Sequence, residues 1–267
     1  MIRQLAATAL SSFLCSSVFA TISVTSGGFA YSQSFDSLAS GGAAPWTNNS
    51  TIGGWSLFIS TLGAPATYRA EIGNQDIGSF TSYGASGSSE RALGAIGDSN
   101  AYFGSPASGA IAGFIAVAFT NNAGVSLDSF TLKFKGEQWR HATAFTSAQT
   151  MVLEYGFGST FSAVGSWIAP GANFDWISPL FGAGAGGVDG NTAGAVLNRG
   201  GTASVSWAAG QTLWIRWIER NDVGSDQGLA IDDLSFSVTA VPEPSQTAML
   251  LAGGLAVLAL TRRRRRN

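Results

Sequence analysis

The 267-residue chain carries 14 basic and 16 acidic side chains, 35 glycines, one histidine and one cysteine. A single histidine excludes a multi-histidine zinc site, a single cysteine excludes an internal disulfide, and abundant glycine with only 11% charged residues argues against long helices. The length accommodates one large domain with a full core between short terminal segments.

Residues 1–20 read as an export signal. Arg3 supplies a basic start, Leu5 to Phe19 an apolar and small-residue stretch, and Val18-Phe19-Ala20 a small-residue cleavage pattern, so maturation is expected to begin at Thr21. Cys15 falls inside this segment, and Leu14 before it makes a poor lipidation site. The body, residues 21–240, then holds 8 basic and 15 acidic residues, a net charge of −7. That balance disfavours nucleic acid, whose phosphates demand cations, and is compatible with cations and neutral glycans.

Along the body, Tyr31 to Asp36 reads as an edge strand and Asn48-Asn49-Ser50-Thr51 as a polar turn. Ile111 to Phe119 is continuously apolar, as expected of a central strand covered on both faces. Phe130, Leu132 and Phe134 alternate with Thr131, Lys133 and Lys135; Met151, Leu153, Tyr155 and Phe157 repeat the period, as do Leu213, Ile215 and Trp217. Gly182 to Gly201, poor in bulky residues, reads as a long surface loop, and Leu229 to Phe236 as a closing strand. Regular strands separated by glycine-rich turns predict an all-β fold, an antiparallel β-sandwich of jelly-roll type resembling concanavalin-like and galactose-binding-like domains. Ile231 and Leu234 differ in strand parity, so a bulge at Asp232 or Asp233 is required if both face the core.

The last 27 residues, 241–267, form a separate unit: Val241-Pro242-Glu243-Pro244, an apolar segment within 247–261, and Arg262, Arg263, Arg264, Arg265 and Arg266. An apolar stretch followed by a block of cations is read as a membrane segment with its end held in the cytoplasm. At roughly 20 Å as a helix, against about 30 Å of hydrocarbon, it spans poorly, which fits a processed signal better than a tail anchor. The order of the three parts resembles the PEP-CTERM sorting signal of Gram-negative bacteria. That resemblance implies transient recognition by an exosortase, an inner-membrane precursor, and delivery to the cell surface or extracellular matrix. The Phe35-Asp36 opening with the Ile231-Asp232-Asp233-Leu234 ending resembles MAM domains and related carbohydrate-binding jelly rolls, in which first and last strands lie together. The Ala-Ile-Asp-Asp ending and the Gly136 to Arg140 segment resemble sequences of PEP-CTERM proteins as well.

Two candidate sites follow. Carboxylates at Asp222, Asp226 and Asp233, with Asp36, supply the hard oxygen ligands that calcium prefers, and the resemblance to jelly rolls implies a structural calcium where terminal strands meet. The competing reading is Asx-turns or carboxylates paired with Arg91, Arg140 or Arg216. Glu137, Trp139 and Arg140 place an aromatic ring beside planar polar groups, a combination suited to glycan binding; the same spacing also continues the strand with Trp139 in the core. For catalysis, His141 is the sole histidine, no nucleophile elbow surrounds any serine, and Glu137 with Glu154 is the carboxylate pair to examine. The expectation is a non-enzymatic, exported surface or exopolysaccharide-matrix protein whose partner is an extracellular polysaccharide. Its rivals are a structural matrix or adhesion component without a defined ligand, and a polysaccharide-active enzyme such as a glycoside hydrolase.

Overall fold

The computed structural model describes residues 21–143, 147–182 and 184–240. The expected export signal (1–20) and sorting signal (241–267) lie outside the described residues. The described residues form fifteen strands: β1 (Ile22–Val24), β2 (Ala30–Gln33), β3 (Gly42–Pro45), β4 (Trp55–Ile59), β5 (Thr67–Glu71), β6 (Ser79–Tyr83), β7 (Ala92–Ile96), β8 (Ile111–Asn121), β9 (Leu127–His141), β10 (Thr150–Phe157), β11 (Trp176–Ile177), β12 (Gly186–Gly187), β13 (Ala195–Trp207), β14 (Thr212–Arg220) and β15 (Gly228–Ala240).

They make a β-sandwich. One sheet of six strands runs β1-β8-β14-β10-β11, with β4 also on β8; the other, of nine, runs β12-β9-β15-β7-β6-β5-β3, with β13 on β9 and β2 on β15. Pairing is antiparallel except between β1 and β8 and between β5 and β6, which are parallel. The inner faces carry the alternating apolar positions. Phe130, Leu132 and Phe134 of β9 meet Met151, Leu153 and Tyr155 of β10 and Leu213, Ile215 and Trp217 of β14 in one buried cluster. Ring contacts tie the sheets together: Phe119 stacks on Phe236 at 3.9 Å between centroids, and Phe134 meets Trp217 edge-on at 5.5 Å. The apolar run of β8 is covered on both faces, with Ile115, Val117 and Phe119 inward and Phe114, Ala116 and Ala118 in a second cluster on the outer side.

The closing strand explains the Asp-Asp pair. Ile231 and Leu234 both point into the core, and the register of β15 against β9 shifts between Asp232 and Ser235. Asp233 takes a left-handed conformation (φ 48°) and absorbs the extra residue. At the same point β15 exchanges neighbours on its other edge, pairing with β7 through Leu229–Ile231 and with β2 through Leu234–Ser237. The segment read as a surface loop from Gly182 to Gly201 is shorter than expected, because β13 begins at Ala195 and pairs with β9. Along β13, Thr202, Ser204 and Ser206 take the exposed positions, and Gly200 and Gly201 interrupt the apolar period that would have marked a strand.

Candidate functional site

The segment Gly136 to Arg140 lies on β9, beside the Ala-Ile-Asp-Asp stretch of β15: Glu137 is opposite Ala230, Gly136 opposite Ile231, and Lys135 opposite Asp232. Two short motifs far apart in sequence are therefore one patch of sheet. The expectation of an exposed glycan platform there is corrected by burial. Glu137 is 0% exposed, Trp139 1% and Arg140 6%. The indole of Trp139 stacks on Tyr83 (6.1 Å between centroids, planes 4° apart) and lies under Gly190, where an added Cβ would fall 2.3 Å from its Nε1. The physical reason is the 188–194 turn, which folds back over the outer face of β9 and leaves the ring no open side. Arg140 donates to the Gly73 carbonyl and stands 3.8 Å from the exposed Asp76. It shares a cleft of about 240 Å³ with Asp76, Asp98 and Asp226, so two residues expected in different sites meet in one.

What β9 and β15 do bring together is charge. Trp139 Nε1 donates to Glu137 Oε2 at 2.8 Å, and Lys135 Nζ stands 2.5 Å from Glu137 Oε1. Asp232 enters from β15 and Glu90 from the turn leading into β7; one carboxylate oxygen each of Glu90, Glu137 and Asp232 lies within 4.8 Å of the other two. Asn191, on the 188–194 turn, donates to Glu90 Oε2 and accepts from Lys135 Nζ, both at 2.5 Å. Burial raises Asp232 to about 9, with Glu137, Asp233 and Glu90 adding repulsion against a backbone hydrogen bond from Asp233. Burial also raises Glu137, opposed by Lys135 and Trp139.

The four expected calcium ligands do not form a set. Asp36 is exposed and accepts from the Arg91 backbone N–H, and Asp233 is exposed on the bulge. Asp222 and Asp226 sit together on the loop before β15, where Asp226 Oδ1 accepts from the Asp222 N–H. None of the four belongs to the carboxylate group of Glu90, Glu137 and Asp232. Nor does Glu137 pair with Glu154: they stand on different sheets, and Glu154 binds Arg216 through both Nε (2.9 Å) and Nη2 (2.5 Å).

A second feature was not expected. On the outer side of the six-stranded sheet, Phe58 of β4 stacks on Phe161 (4.1 Å, 15°), Phe161 meets Trp214 of β14 and Trp167, and Arg216 stacks on Trp167 at 3.9 Å. The 158–167 segment carries Phe161 and Trp167 and is anchored by reciprocal backbone bonds between Tyr155 and Ile168. Beside these rings opens a groove of about 230 Å³, with Phe58, Phe161 and Trp214 in its lining and Asn49, Ser56, Thr160 and Ser162 supplying polar groups. Phe58 and Trp167 are half-buried and reach solvent, whereas Phe161 (5% exposed) and Trp214 (2%) are buried beneath them as support.

No protein-family model matches the chain, and no curated protein matches it. Among solved structures it is similar to the CBM22-1 xylan-binding domain of Paenibacillus barcinonensis Xyn10C, at 10% identity over 82% of this chain and all of that domain, with a TM-score of 0.37. At that score the likeness says nothing of what this chain binds.

Proposed function

We propose that the protein is an exported β-sandwich of the cell surface or exopolysaccharide matrix that binds a neutral glycan on the outer face of its six-stranded sheet. The observation that carries this reading is the half-buried Phe58, backed by the buried Phe161 and Trp214, beside the amide and hydroxyl groups of Asn49, Thr160 and Ser162, with the half-buried Trp167 next along against Phe161. Aromatic faces take sugar C–H groups, and planar polar groups order the hydroxyls. The groove is smaller than the roughly 300 Å³ at which drug-sized pockets begin, which suits one sugar ring of a longer chain lying across the face. None of the described residues lining it is a carboxylate, which favours retention of a polymer as its role.

Affinity electrophoresis through gels containing neutral polysaccharides tests this. Phe58→Ala and Trp167→Ala are expected to lose the retardation seen for the parent by tenfold or more in affinity, with melting temperatures within a few degrees of it, because both rings are half-buried at the edge of the outer cluster. Full retardation of both variants would remove the glycan from this face and favour the scaffold reading.

Delivery rests on the terminal segments. Exosortase-type processing at Val241 to Pro244 is expected to leave a mature protein without residues beyond about Pro244, and replacing Pro242, Glu243 and Pro244 by alanine to leave a larger membrane-held precursor. Intact-mass measurement of the surface form decides it; Arg262 to Arg266 still attached would restore the tail anchor.

A further inference from the structure

We infer that Glu90, Glu137 and Asp232, with Asn191, form a calcium site on the outer face of the nine-stranded sheet, and that the Lys135 ammonium occupies it when the ion is absent. Three strands' worth of chain converge there: the turn before β7, β9 on one side of β15, and β15 itself just before its bulge. Asp232 is 2% exposed, and its Oδ1 has no hydrogen-bond partner among the described residues. Glu90 Oε1 is likewise buried and without a hydrogen-bond partner among the described residues, and Glu137 Oε1 faces the Lys135 ammonium at 2.5 Å. Three carboxyl groups and one ammonium share a place largely closed to water, where all three can be ionised together only with a further cation beside them, because an uncompensated buried carboxylate is costly.

The donor set selects the ion. All ligands are oxygen, without histidine or cysteine, which disfavours zinc and copper. Oxygens within 4.8 Å of one another match the span across an ion with bonds of about 2.3–2.6 Å, the calcium range; magnesium takes shorter bonds and keeps its waters, for which a buried trio leaves little room. Asn191 adds a carbonyl oxygen once Lys135 withdraws, and Lys135, with a long flexible stem and 14% side-chain exposure, has a path to solvent. The ion would then tie the 188–194 turn to β9 and β15, holding the cover of Trp139 in place. This inference is independent of the glycan reading, since the two features lie on different sheets.

Calorimetric titration of the chelator-treated protein with calcium chloride is the test. The parent is expected to bind one ion per chain and to melt at a higher temperature in calcium than in chelator, as any ligand specific to the folded state requires. Asp232→Asn and Glu90→Gln should each weaken binding by at least tenfold; Glu90 is half-buried at the rim, so its variant remains informative if Asp232→Asn folds poorly. Lys135→Met should tighten binding about tenfold, because it removes the competing cation. A purely structural cluster predicts the reverse for that variant, a loss of stability with no calcium heat. Absence of calcium binding by the parent, or binding unchanged in both carboxylate variants, overturns the site.

Discussion

Trp139→Ala is expected to destabilise the protein by about 3–5 kcal/mol, the range for deleting a large buried aromatic side chain. The ring is 1% exposed, and the parallel stack on Tyr83 and the close approach of Gly190 leave a cavity when it goes, with little chance of collapse because both neighbours belong to backbone-anchored elements. A second cost is electrostatic. Trp139 Nε1 is the donor to Glu137 Oε2, so the alanine variant leaves another oxygen of a fully buried carboxylate without a partner. Trp139→Phe should cost less, since it fills most of the volume and loses only the donor. Denaturant unfolding of the parent and both variants checks the order; an alanine variant within about 1 kcal/mol of the parent would mean that the 188–194 turn does not hold the ring.

Between pH 4 and pH 8 the metal-free protein is expected to lose stability as pH rises. The loop between β14 and β15 concentrates acids: burial pushes Asp226 up to about 8, Asp222 and Asp98 add repulsion, and the Asp222 N–H opposes it. Glu219 is raised well above the carboxylate range by burial and by Asp226 and Asp222, against a 2.8 Å bond from the Gly97 N–H. Asp222 is raised by burial, with Arg220 opposing. Arg140 and Asp76 face the same cleft. A folded pKa above the unfolded value means that the folded state retains protons the unfolded chain has released. The contribution of Asp226 is therefore complete below about pH 4 and gone once pH passes about 8, at up to about 1.4 kcal/mol per pH unit for one group. Asp232, raised to about 9, acts with the same sign, and so does the self-repulsion of a body with a net charge of −7. Asp226→Asn keeps the acceptor for the Asp222 N–H and removes the charge, so it should flatten the profile and melt higher than the parent at pH 8. Thermal unfolding across this range in chelator checks it; parallel slopes for parent and variant would sink the assignment.

The strands that face the inter-sheet core were legible because period-two alternation is a local property. Phe130, Leu132 and Phe134 needed only their neighbours to declare a face, and the parity break between Ile231 and Leu234 announced a bulge that the structure places at Asp233. The outer aromatic face left a weaker trace. Trp214 alternates with Leu213 and Ile215 on a strand that is apolar on both sides, and β8 is apolar throughout, which signals a covered sheet without saying what covers it.

By itself, then, the order of residues determined the strand periods, the acidic body between a basic start and a basic end, and the need for a bulge at the Asp-Asp pair. Tertiary structure alone decided what those residues do. Trp139 sits where a binding ring would sit on a bare strand, yet a turn 50 residues later covers it. Glu90 and Asn191 carry no signal of their own, and they become partners of Glu137 and Asp232 only because β7, β9 and β15 are neighbours in one sheet. Burial is a sum over contacts from distant segments, so solvent access, and with it the choice between a sugar platform and a buried charge cluster, could not be read from local spacing.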